Sequence, residues 1–259
     1  MKSTLLVLST LCIASASSYY SHRIYKGEEK EEMHPERYEE FDYVGGKSRS
    51  IVQNDKWPEV IWPNNAEMAM TVFQYNHHTK DLTPYLDMLI KQYVDADGGR
   101  SLSQVSKIDP KFGKVMENHF WDFDEQLLVV SDPEHPEKCL ETDLEYELNL
   151  HELMERMKSP DGGITKYLGE MQVDWEKDRI KPATYHVFDL KFQWFHVKSE
   201  INIFFNIETK KLAWIQMHSP LLLVIQIEDG MKERKFTDED FKDVLTECPE
   251  KLLPQEQMQ

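Results

Sequence analysis

The stretch INIFFNIETKKLAWIQMHSPLLLVIQIEDG, residues 201–230, limits what this chain can fold into more than any other part of it. Its longest apolar run, Leu221 to Ile225, is interrupted by Gln226 and Glu228. That is far short of the roughly twenty apolar residues a bilayer-spanning helix needs. The pattern is that of a sheet. Ile201, Ile203, Phe205 and Ile207 alternate onto one face, and Glu208 to Lys210 turn the chain. Leu212 to Met217 return, Ser219-Pro220 turn again, and Leu221 to Glu228 form a third strand, apolar on both faces. Asp229-Gly230 is a two-residue hairpin signal leading into a fourth strand over 231–236.

Two-residue periods extend upstream. Over 140–151 leucines, Thr142 and Tyr146 alternate with acids, Asn149 and His151, as in a half-buried antiparallel strand. Met171, Val173 and Trp175 alternate with Gln172, Asp174 and Glu176, and the even positions from Thr184 to His196 include Phe188, Leu190, Phe192 and Trp194. Helices are predicted at 84–94, where Thr83, Pro84 and an apolar stripe at three- and four-residue spacing read as cap and face. Further helices are expected at 110–119, after Leu150, and from Thr237 with acids in the first turn. Residues 66–76 fit helix or strand equally. In NDKWPEVIWPNN (54–65) the prolines forbid a central strand, so Trp57 and Trp62 are expected to pack onto the domain from an extended segment. The fold class is α+β to mainly β: an antiparallel meander, a sandwich or a partly closed barrel, packed with a few helices in one domain over 51–250, with a tail at 251–259.

The chain opens MKSTLLVLSTLCIASASS, which has the charged, apolar and small-residue parts of a secretory signal peptide over 1–16. Residues 17–50 follow as an acidic arm, its EEKEEMHPERYEE core too poor in apolar residues to order itself. A net charge of -17 disfavours nucleic acids and anionic membrane surfaces as partners. Of three cysteines, Cys12 falls in the signal peptide. Cys139 and Cys248 remain, and an even count in a secreted chain predicts a bridge between them.

Several motifs fail on chemistry. Gly46-Lys47-Ser48 lacks the first glycine of a phosphate loop, where Phe41 stands. DADGGRSLS (95–103) has Arg100 where a calcium loop needs glycine and Ser106 where it needs glutamate. LHELMERM (150–157) has Glu155 where a zinc-protease helix needs its second histidine. In WDFDEQ, Asp122 and Asp124 would point to one side of an extended strand, and oxygen ligands select hard cations.

Two functions are therefore expected. The first is a secreted, acidic, non-enzymatic binding protein without a cofactor, taking an apolar small molecule or an extracellular protein. Its lining would be the aromatic sheet face of Phe188, Phe192, Trp194, Phe205 and Trp214. The second is a secreted metal-dependent enzyme in which Asp122 and Asp124 hold a divalent cation such as calcium, manganese or zinc. Nothing in the sequence specifies an oligomeric state.

Overall fold

The computed structural model describes residues 57–136, 139–144, 149–162, 164–176, 182–194, 197–218 and 222–248, with backbone alone at 191–200. The expected signal peptide, the acidic arm and the C-terminal tail lie outside the described residues.

The protein is mainly β. Eleven antiparallel strands form one open sheet in the order β6-β5-β4-β3-β2-β1-β11-β10-β9-β8-β7. The strands are β1 (Asn65–Asn76), β2 (Asp81–Asp95), β3 (Arg100–Asp109), β4 (Gly113–Asp122), β5 (Leu127–Ser131), β6 (Cys139–Asp143), β7 (Thr165–Met171), β8 (Tyr185–Trp194), β9 (Val197–Asn206), β10 (Leu212–Met217) and β11 (Leu223–Glu233). Two sequential meanders, β1–β6 and β7–β11, are joined where β1 pairs with β11. One α-helix, α1 (Leu150–Met157), is present among the described residues, on the connection between the edge strands.

Asparagine or aspartate begins turn after turn. The side-chain oxygens of Asn76, Asp95, Asp109, Asp122, Asp132 and Asn206 each accept a backbone N–H two or three residues on. Such local bonds hold the chain in a turn.

Three expected helices are corrected. Residues 84–94 belong to β2. There Leu86 and Asp87 take positive φ, and the register against β1 slips between Thr71 and Phe73. That bulge shifts the inward alternation of Met88, Ile90, Gln92 and Val94 relative to Tyr85, and the phase shift imitates helical spacing. Residues 110–119 are the β3–β4 turn and most of β4. From Thr237 only a 3-10 turn forms, Asp238–Asp240, with Thr237 and Asp240 in a capping box. The helix after Leu150 is present. Asn149 caps it, and Leu150, Leu153, Met154 and Met157 are buried at helical spacing.

Two strand expectations also change. β6 stops at Asp143, and Asp174–Glu176 is a 3-10 turn that ends the alternation begun at Met171. The Asp229-Gly230 pair makes no hairpin. β11 runs through it with a bulge opposite Glu67–Ala69, both residues at positive φ, and a Cβ on Gly230 would come within 2.8 Å of Lys211 Cβ.

The face carrying α1 is here called inner. It holds the largest core cluster, drawn from both meanders, with Trp57 and Trp62 of the segment before β1 packed on it. On the outer face, Tyr185, Val187, Phe204, Trp214 and Val224 form a second cluster. Leu102 and Phe120 take Phe241, from the chain after β11, as a third. Cys139 and Cys248 form a disulfide, with Cα atoms 5.9 Å apart, that fastens the end of this segment to β6.

Candidate functional site

The expected metal pair lies at the end of β4. Asp122 is its last residue and Asp124 is already in the turn, so the two do not share a strand face. Asp122 Oδ1 accepts the N–H groups of Asp124 and Glu125 at 3.1 and 2.9 Å. Among the described residues no group of three or more histidine, cysteine, aspartate or glutamate side chains is placed to share an ion. The residues of the rejected calcium-loop and zinc-helix motifs have local uses. Asp95 accepts from Arg100 Nε at 2.9 Å, and Asp97 from Asn65 Nδ2 at 2.6 Å. His151 Nδ1 lies 3.0 Å from Asp97, and Asn64 Nδ2 donates to Glu155 at 2.7 Å. These residues edge a polar cleft of about 610 Å³ between α1 and the chain after β11, lined by Asp97, Arg100, Lys158 and Arg234 among others. Its arginines are paired with acids: Arg100 with Asp95 and Asp238, Arg234 with Glu67 and Asp240. The cleft is the seam that ties the C-terminal segment to the sheet.

The five expected lining aromatics do not form one wall. Phe188 and Phe205 are fully buried on the inner face, 5.6 Å apart between ring centres. Trp57 lies 5.0 Å from Phe188, and Trp62 lies 5.3 Å from Phe205. Tyr167 closes the other side of Phe188 at 5.2 Å. Trp214 is on the outer face, because the register shift between Leu212 and Trp214 moves it beside Phe204. Phe192 and Trp194 fall on β8 where only backbone is described.

Chemistry is concentrated elsewhere, on the inner face of β2–β4. The ladder registers run Met68–Gln92–Ser103–His119–Val130–Leu140 from β1 to β6. Gln92 donates to Ser101 Oγ at 2.7 Å, Ser103 donates to Gln92 Oε1, and Ser101 donates to the Tyr93 carbonyl. Beside this chain, Lys107 Nζ donates to both Glu117 oxygens at 3.1 and 3.2 Å. His119 Nε2 is 3.2 Å from Glu117 Oε2. The residues are 2% (Lys107), 8% (Glu117) and 0% (His119) exposed. Burial alone would push the Glu117 carboxyl up. The His119 hydrogen bond and the Lys107 charge outweigh it and hold the pKa at about 2.

An ionised carboxylate only accepts, so the ring nitrogen that meets it, Nε2, carries a hydrogen. Nδ1, which presents a lone pair in the uncharged ring, meets no hydrogen-bond partner. A buried polar atom left in this state needs an explanation. The Gln216 amide on the outer face, Thr165 Oγ1 and Trp175 Nε1 are also unmatched. His119 differs because it joins a charged pair and lies across from Val130, which in turn pairs with Leu140; both are only partly buried toward the β6 edge. Ser103, the hydroxyl directly across from it, donates to Gln92, so no serine–histidine relay is set up.

Sequence reasoning missed this cluster by reading 110–119 as helix. The usable signal was the alternation of Ser101, Ser103, Val105 and Lys107 with that of Glu117, His119 and Trp121, two polar-bearing faces with strand period. No protein-family model matches the chain, and no curated protein is significantly similar to it.

Proposed function

We propose that this chain is a secreted, non-enzymatic binding protein whose small, largely apolar ligand is held on the inner face of β3–β6, against His119, Val130 and Leu140. The observation that carries the reading is the unmatched Nδ1 of a fully buried histidine, set in a polar bed and bordered by partly open apolar side chains. Small-molecule sites combine this sort of apolar lining with a few placed polar groups. A small ligand is favoured over a protein partner because the polar bed lies on a buried face. Sheets of this many strands commonly curl, and a partly closed barrel is the form in which such a face would enclose a ligand.

The test is native mass spectrometry of protein from its natural source, backed by titration with an environment-sensitive naphthalene fluorophore. The expected result is one small molecule per chain, released on denaturation, or one saturable probe site at micromolar concentration. Finding neither would remove the reading.

A further inference from the structure

We propose that the ligand at His119 is an apolar molecule carrying a hydroxyl group at its buried end; this rests on the binding reading above and names the chemistry that reading leaves open. In the uncharged ring the Nε2–H of His119 leaves Nδ1 as an acceptor, and a ligand that meets it there brings a donor. Three donor and acceptor classes can be compared at this point. A carboxylate or phosphate ester brings no hydrogen to Nδ1 and meets the Glu117 charge, while Lys107 already has both Nζ contacts on the Glu117 oxygens. An ammonium brings a donor, but desolvating a third charge beside an existing buried pair is costly. A hydroxyl brings a donor without charge.

The apolar body follows from the rest of the row and its neighbours. Beyond His119 the inner face continues as Val130 and Leu140. Trp121 and Leu128 sit one row away, and both are buried. A molecule lying along this row would place its body toward the open β6 side and its hydroxyl at the imidazole. A wholly apolar molecule would cover Nδ1 and leave it unmatched, which forfeits the hydrogen bond and retains the desolvation cost.

The experiment compares four probes of one chain length on the full mature chain: 1-decanol, decyl methyl ether, decanoate and decylammonium. The ether keeps the oxygen and loses only its hydrogen. Affinities are read by displacement of the naphthalene fluorophore. The wild-type chain should bind decanol on the order of ten-fold more tightly than the ether, and more tightly than either ion. His119→Phe should reduce the decanol-to-ether ratio to about one, with the far-ultraviolet β-sheet spectrum unchanged. His119→Asn, whose amide oxygen can still accept, should retain part of the preference and guards against a misfolded phenylalanine variant. Equal binding of decanol and ether by the wild type, or tightest binding of either ion, overturns the hydroxyl assignment and leaves the binding reading standing. A decanol preference that survives in His119→Phe overturns the assignment to this residue. Failure of all four probes to bind overturns the binding reading itself, and this inference with it.

Discussion

Two rows of side chains on one face of one sheet have opposite characters. In the second meander the ladder carries Tyr167, Phe188, Ile203, Ile215 and Ile225 in a single line. In the first it carries Met68, Gln92, Ser103, His119, Val130 and Leu140. The aromatic line is completed by Trp57 and Trp62, which sit on Phe188 and Phe205 and leave that region as close-packed core. The polar line is complete except at one nitrogen. The contrast teaches that aromatic content was a poor guide to where this sheet would receive another molecule. Large rings supply contact area, and the chain itself uses that area first. A hydrogen-bonding group left unmatched in a dry place is the more specific sign.

The largest test concerns how each region is held. The polar side ends at β6, which is stapled to the C-terminal segment through Cys139–Cys248, whereas the described residues of the aromatic side contain no bridge. Closing a loop with ends 109 positions apart constrains the unfolded chain by about 4.7 kcal/mol in the loop-entropy model. Replacing both cysteines by alanine should lower the chemical-denaturation midpoint. Amide exchange should quicken most in β5 and β6 and least in β8–β10. Uniform quickening across the sheet would break the distinction between the two sides.

Next in size is Phe188→Ala. With ring contacts to Trp57, Tyr167 and Phe205, its removal should cost about 4 kcal/mol. The loss should be the same with and without bound ligand. A loss that shrinks on adding ligand would mean that a ligand fills the vacated space, and would move the binding site to the aromatic side.

The smallest effect is one of pH. The Glu117 pKa is held at about 2, below the ordinary 4.5, so its stabilisation is fully present above pH 4.5 and is lost as pH falls from there toward 2. That window is worth roughly 3 kcal/mol. Denaturant unfolding of the wild type should lose stability over this interval, and Glu117→Gln should flatten that limb while lowering stability at pH 7. An unchanged acid limb in the variant would show that the buried triad does not set the difference between the two rows.

The sheet itself was largely legible in the sequence. Residues 201–228 hold the second half of β9, all of β10 and the first half of β11, with the turn after Asn206, because these strands alternate cleanly; the expected Ser219-Pro220 turn lies outside the described residues. The first meander was obscured for identifiable reasons. The bulge at Leu86 and Asp87 changed the phase of β2, and Pro84 is as natural at a helix start as in the part of β2 that pairs only with β1. Gln92, Ser103 and His119 were invisible as a set for another reason. Their neighbours Lys91, Gln104 and Asn118 are also polar, and composition alone does not say which side of a strand faces inward. Register decides that, and register is a property of pairs of strands. Asp122 shows the converse. Read as sharing one face of an extended strand with Asp124, it instead ends β4, and its carboxylate serves its own turn.

The joint between the meanders has a consequence for how the protein is made. Thr71 of β1 and Glu228 of β11 are hydrogen-bonded partners 157 positions apart. At ribosomal rates, β1 leaves the synthesis machinery about 8 to 30 s before its neighbour exists. Throughout that interval its outer backbone edge is open to pairing with other chains, the hazard that unprotected strand edges carry. Closure comes late, across a long span of sequence, which is the slow regime for assembling non-local sheets. The nascent first meander is therefore the form of this protein that most needs a chaperone, and truncation after β10 would leave it permanently in that form.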